Sequence, residues 1–238
     1  MKKLITASLA MLCMHAAYAQ EPAPEKASRS HYANKKGKIG SVYMSTQMDG
    51  YILSTAMMEK GASTKWTTPR FTAFLHIGAT AHINFNDNFG LFSGLGVKNI
   101  GFIEKFSGND STVKRRVYTI GIPLGIKVGN MSGTYAMLGG GLDIPFHFKE
   151  KGFVKRSSKV KQTEWFSQRN ETLMPYVFVG AHFKPGVNLK LQYYPTNFLN
   201  TDFKQTVNNV TTQPYAGYKV NLAMVTLGID IPYRPKFD

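Results

Sequence analysis

The amino-acid sequence predicts an all-β chain folded as an eight-stranded, antiparallel, up-and-down transmembrane β-barrel. Three observations lead there. From Phe71, every second residue is apolar (Phe71, Ala73, Leu75, Ile77, Ala79, Ala81, Ile83, Phe85), while the interleaved set from Arg70 to Asn84 is polar, small or titratable apart from Phe74. Side chains alternate faces along a strand, so this stretch has one greasy face and one wet face. Second, eight such segments follow one another with connections that alternate long and short, the rhythm of a barrel with brief turns at one end and loops at the other. Third, aromatics gather near strand ends on the apolar face (Phe71, Phe85, Phe89, Tyr118, Phe146, Phe148, Phe183, Tyr233), whereas glycines such as Gly78, Gly96, Gly121 and Gly141 gather on the other. Aromatic rings suit a membrane interface, and glycines suit a narrow lumen crowded by neighbouring side chains.

Taken in order, Met1-Lys2-Lys3, the apolar run to Ala17 and the Ala17-Tyr18-Ala19 site have the three parts of a secretory signal, so residues 1–19 are expected to be removed. Residues 20–38 are polar and aperiodic and read as a flexible periplasmic leader; 39–233 read as the barrel and 234–238 as a C-terminal tail. The expected strands run 39–48 (with an extension over 51–58), 70–85, 89–105, 115–129, 134–148, 173–184, 189–199 and 218–233. In the last, alternation slips near Leu222–Ala223, which predicts a bulge there. Residues 106–114, 149–172 and 201–217 read as long polar loops.

Composition narrows the function classes. The single cysteine, Cys13, lies inside the signal, so no disulfide supports the mature chain. Formal net charge is +15, and only two of those charges leave with Lys2 and Lys3. Nucleic acid is the usual partner of such a basic chain, but export removes it from reach. The nearest dense anions are then lipid phosphates and acidic glycans of the envelope. Alternation alone fits a soluble ligand-binding barrel with its faces swapped; the girdle and the glycines favour lipid outside.

Two stretches carry the resemblance to a known family. They are Gly90-Leu91-Phe92-Ser93-Gly94-Leu95-Gly96, after a turn with Asn86 and Asn88, and Tyr118-Thr119-Ile120-Gly121-Ile122-Pro123-Leu124-Gly125-Ile126-Lys127. The chain resembles the PorT-like outer-membrane β-barrel family of Bacteroidetes-type bacteria across nearly all of its mature length. The resemblance implies an outer-membrane location and a barrel. Gly121 stands where that family carries an acidic residue, so no role of that carboxylate transfers to this chain.

On the wet face, His76, His82, Lys98, Lys127, Asp143, His182, Lys190 and Asp230 are expected to form a lumen network, with His147 facing the same way. His76 and His82 lie about 20 Å apart along one strand, too far to share a metal. Neither a metal site nor a cofactor is expected. Ser93 faces the apolar side without a histidine, so catalysis is not expected either. The basic stretch between 149 and 172 offers Lys151, Lys155, Arg156, Lys159 and Lys161 as contacts to lipid phosphate, followed by Trp165 and Phe166. The sequence thus points to a non-enzymatic outer-membrane protein of a Gram-negative bacterium, with periplasmic termini and a structural, envelope-interaction or secretion-associated role. Its expected partners are outer-membrane lipid, lipopolysaccharide and an envelope protein. An enzyme acting on outer-leaflet lipid is the alternative; a Ser, a His and an acid at one depth would support it.

Overall fold

The computed structural model describes residues 39–106, 111–154 and 158–233. The signal, the leader and the tail therefore lie outside the described residues. Twelve strands follow in order: β1 (Val42–Lys60), β2 (Ser63–Trp66), β3 (Arg70–Asn84), β4 (Phe89–Phe106), β5 (Ser111–Gly129), β6 (Tyr135–Val154), β7 (Ser158–Trp165), β8 (Met174–Phe183), β9 (Val187–Tyr193), β10 (Gln205–Val207), β11 (Val210–Thr212) and β12 (Tyr218–Tyr233). Eight of them, β1-β3-β4-β5-β6-β8-β9-β12, pair antiparallel as sequence neighbours around a ring. The ring closes where β1 meets β12, from Met44 opposite Tyr233 to Lys60 opposite Tyr218. β2 folds back on β1, β7 folds back on β6, and β10–β11 is a separate hairpin. Closure leaves no sheet edge in the wall, which is what a spanning sheet requires where no water can satisfy backbone groups.

The faces divide as the alternation predicts. Ile77, Leu95, Ile122, Leu124, Leu138 and Val179 point outward and are exposed, Leu124 by 63%. His76, Thr80, His82, Lys127, Asp143 and Lys190 point inward and are buried. A soluble barrel would bury the first set, so the outward apolar band is the surface of a membrane-spanning barrel. Phe85, Phe89 and Phe183 rim it near the short turns; Tyr118, Phe146 and Trp165 rim it near the long connections. Tyr118 and Val128 are ten residues apart on β5, about 33 Å of strand, which at a tilt near 40° spans about 25 Å of membrane.

Several sequence expectations need correction. β1 begins at Val42, not Ile39, and runs unbroken in name to Lys60. The bulge expected at Leu222–Ala223 is absent: β12 pairs in continuous register there, and the register shifts instead in β1 between Met48 and Tyr51. What changes at Leu222 is chemistry, not phase. Val220, Leu222 and Met224 point inward just as Thr226 and Gly228 do, but they belong to an apolar half of the lumen. A second irregularity, between Tyr118 and Thr119 opposite β6, reverses the faces expected of His147 and Phe148. Phe148 lies wholly buried inside, and His147 stacks on Trp165 and Tyr118 outside. The loop expected at 106–114 is mostly strand, since β4 reaches Phe106 and β5 starts at Ser111. β9 stops at Tyr193, short of the expected Leu199. There the chain turns inward, so that Tyr194, Phe198 and Leu199 are fully buried.

Those three residues complete a core inside the barrel mouth. Ile52, Met58, Ile100, Phe102, Val117 and Phe148 meet them from the wall, with Phe102 edge-on to Phe198 at 5.4 Å between ring centroids. Eight strands enclose an interior that side chains fill, and here a hydrocarbon core occupies much of its long-connection half.

A two-faced sheet and a paired lumen

Of the residues expected in the lumen, His76, His82, Lys98, Lys127, Asp143, His182, Lys190 and Asp230 lie inside the barrel, whereas His147 lies outside. Lys98 Nζ donates to Asp143 Oδ1 at 2.8 Å, and the Tyr194 hydroxyl donates to Asp143 Oδ2 at 2.6 Å. Lys190 Nζ donates to Asp49 Oδ2 at 3.2 Å, and His76 Nδ1 lies 3.5 Å from the same oxygen. Nearer the short turns, Lys127 donates to Asn84 Oδ1 at 2.7 Å and to the Tyr43 hydroxyl at 3.1 Å. There His182 Nδ1 is 2.9 Å from Asn188 Oδ1. A cavity of about 60 Å³ lies between the Asp49 and Lys98 groups, bordered by Gln47, Thr80 and Gln192. It has room for a few waters. Sequence reading missed Asp49, because the bulge beside it breaks the alternation of β1.

Ser45, His82 and Asp230 do form a Ser, His and acid cluster at one depth. Ser45 Oγ is 2.8 Å from His82 Nε2, and Asp230 Oδ2 is 3.9 Å from that same nitrogen. A nucleophilic triad needs the acid on the other ring nitrogen, to fix the tautomer while the first takes the serine proton. Here Nδ1 has no hydrogen-bond partner and Ser45 is 0% exposed. The cluster lacks the geometry for acyl transfer. Among the described residues, no three His, Cys, Asp or Glu side chains come together as a metal site.

The basic stretch folds differently from the expected loop. β6 continues to Val154, and β7 returns beside it from Ser158 to Trp165. Lys155 and Arg156 lie outside the described residues, and of Lys159 only the strand position is described. Lys151 and Lys161 sit directly opposite each other. Register builds a lattice on the outward face of β5, β6 and β7. One row is Tyr118, His147 and Trp165; the next is Arg116, Lys149 and Thr163; the next is Lys114, Lys151 and Lys161. The rings of His147 and Trp165 stack at 4.3 Å, and those of Tyr118 and His147 at 5.5 Å. The Lys149 ammonium lies 5.3 Å from the Tyr118 ring centre, with the Arg116 guanidinium at 6.0 Å.

The inward face of these strands and of neighbouring β4 carries the acids. Arg115 donates to Glu104 at 2.6 Å and to Glu150 at 2.7 Å, and Glu164 lies opposite Phe148 on that side. Glu164 accepts from Ser167 at 2.6 Å and from Arg169 Nε at 2.9 Å. Partial burial alone would raise its pKa, but these bonds and the guanidinium charge hold it below the usual carboxylate range. Taken together as one basic stretch, residues 149–172 mix these two faces. The signal that separates them is the alternation itself: in Lys149-Glu150-Lys151, cations and acid fall on opposite sides.

No known protein-family profile matches the chain, and no curated protein is similar to it. Among solved structures it is similar to Ail, the attachment invasion locus protein of Yersinia pestis, crystallised with the heparin analogue sucrose octasulfate. That match has 14% identity and a TM-score of 0.37, covering 82% of this chain and 100% of that one. It is also similar to Neisserial surface protein A, with 14% identity, a TM-score of 0.37 and coverage of 81% and 99%. For OprG from Pseudomonas aeruginosa the values are 12%, 0.36, 84% and 99%. Likeness at this level assigns no activity.

Proposed function

We propose that this protein is a non-enzymatic barrel of a Gram-negative outer membrane, with its termini in the periplasm, that works through its outer surface rather than through a pore or an active site. The observation that carries the reading is the contrast between a filled interior and an elaborated exterior. Paired charges occupy one half of the lumen, and packed hydrocarbon with the Arg115–Glu104–Glu150 ion pairs beyond it fills the other, so solutes have no open path. The strands that outrun the membrane carry the cations, the exposed rings of Trp165 and Phe166, and a hairpin at β10–β11. Short turns at one end and long connections at the other support placing the termini in the periplasm. The two glycine-bearing stretches support a PorT-like relationship, and with it a structural, envelope-interaction or secretion-associated role.

Fractionation tests this directly. Carbonate and high-salt washing should leave the protein in the membrane, detergent should extract it, and the folded form should run differently on a gel before and after heating. Reconstituted into planar bilayers, it should give no steady conductance. Release by washing, or stable channels, would contradict the proposal.

A further inference from the structure

We infer that the outward face of β5, β6 and β7 is a binding site for a phosphorylated glycolipid anchored in the outer leaflet. This rests on the outer-membrane reading above and names a partner for it. Five cations, Arg116 and Lys149 in one row and Lys114, Lys151 and Lys161 in the next, share this face. No acidic side chain among the described residues shares it; Glu104, Glu150 and Glu164 point to the other side of the sheet. Neighbouring strands are about 4.8 Å apart and same-face residues about 6.6 Å apart along a strand. A phosphate lying over such a lattice reaches cations from two strands and two rows at once.

The lipid anchor is argued from what lies beneath. Below the cations is the stacked row Tyr118, His147 and Trp165, and below that the exposed apolar band with Ile120 and Ile144. Along one direction the face runs from hydrocarbon through aromatic rings to cations. At the strand tilt above, each row rises about 5 Å over the last, so the cations stand just beyond the membrane edge fixed by Tyr118. A glycolipid presents the same order: acyl chains, then the sugar, then phosphates. A soluble polyanion would gain nothing from the lower two layers. Trp165 is 66% exposed and Phe166 78% exposed, open to a molecule alongside the barrel.

The test uses the full-length protein in detergent and in phosphatidylcholine vesicles containing lipopolysaccharide, dephosphorylated lipopolysaccharide or neither. Inositol hexakisphosphate serves as the free polyanion. Wild-type protein should retain lipopolysaccharide through purification at low salt and lose it when the phosphates are removed. The fivefold variant Lys114→Gln, Arg116→Gln, Lys149→Gln, Lys151→Gln, Lys161→Gln should retain at least tenfold less, with heat-dependent gel mobility intact. If that variant fails to fold, the pair Lys151→Gln, Lys161→Gln should still lower retention severalfold. Neutralising Lys65, Lys204 and Lys219, which lie off this face, should change nothing. Equal loss from that control set would reduce the effect to net charge and overturn the site. Competition by inositol hexakisphosphate at equal phosphate concentration would overturn the lipid anchor. Unchanged retention in the fivefold variant, while the protein still needs detergent for extraction, would sink this inference and leave the outer-membrane reading standing. Release without detergent would sink both.

Discussion

The two halves of the barrel interior differ in what holds them: ion pairs and polar side chains toward the short turns, and toward the long connections a hydrocarbon core with the Arg115–Glu104–Glu150 cluster beyond it. Toward the short turns, the lumen holds Asp49 with Lys190 and His76, Asp143 with Lys98, and Lys127 among Asn84 and Tyr43. Toward the long connections it holds Ile52, Ile100, Phe102, Phe198, Leu222 and their neighbours. The difference lies in how each half fails. A charged pair out of water depends on both partners, because either one alone is a buried, uncompensated ion. A hydrocarbon core degrades by degrees, losing contacts as volume is removed.

The largest expected effect follows from that asymmetry. Asp143→Ala leaves Lys98 without its carboxylate and Tyr194 without its acceptor, and should destabilise the barrel by about 3–5 kcal/mol. Replacing both ions, Lys98→Met with Asp143→Leu, should recover most of that loss. Urea unfolding in detergent or lipid measures both. If the double variant is no better than Asp143→Ala, the pair is not what holds this half together.

In the other half, Leu222→Ala should cost about 2–5 kcal/mol through the cavity it leaves. Unlike the ion pair, it should respond in proportion to volume, with Leu222→Val milder. Two variants compare lumen with exterior at one depth. Ile122→Arg puts a cation on the lipid face at about 2–4 kcal/mol. Gly121→Ser, on the lumen side, adds no charge, but its Cβ would lie 2.5 Å from Asp143 Oδ1 and 2.8 Å from Lys98 Cε. Overpacking of that kind costs about 1–3 kcal/mol, so the two neighbours should differ less than their alternation suggests. Folding yields in lipid vesicles would rank them.

Legibility followed the same division. Where one face is uniformly apolar, as in β3 and in β5 from Arg115 on, period-two alternation gave the strand and its faces together, because lipid and lumen demand opposite side chains. It failed where strand and chemistry part company. On β12, Val220 and Leu222 are apolar yet point inward, since the mouth of the barrel has its own core, and alternation cannot distinguish that core from lipid. At Phe146 one extra residue reverses the faces of His147 and Phe148, and nothing in their side chains announces it. Asp49 went unseen for the same reason in β1. The basic face was half legible. Lys151 and Lys161 stood out by charge, but Lys114, Arg116 and Lys149 join them only through cross-strand register, which requires knowing that 149–165 is a hairpin.

The smallest expected effect is a pH response outside the membrane. Glu164 ties β7 to the following loop through Ser167 and Arg169, and its carboxyl is held below the usual range by those bonds against the opposing pull of partial burial. A group whose pKa is lower in the folded protein contributes stability above its unfolded pKa, about 4.3 for glutamate, and loses it as pH falls through the folded value. The loop should therefore be fully tied at pH 6 and loosen only in acid below the ordinary glutamate range. Because the carboxylate is partly exposed, the effect is local and modest, well below that of either lumen half. Hydrogen exchange of residues 164–169 should speed up at pH 3 relative to pH 6, after correction for intrinsic rates, while β5 amides stay protected. Glu164→Gln should exchange at the faster level at both pH values. Equal protection of wild type at both would mean that Ser167 and Arg169 hold the loop without the carboxylate charge.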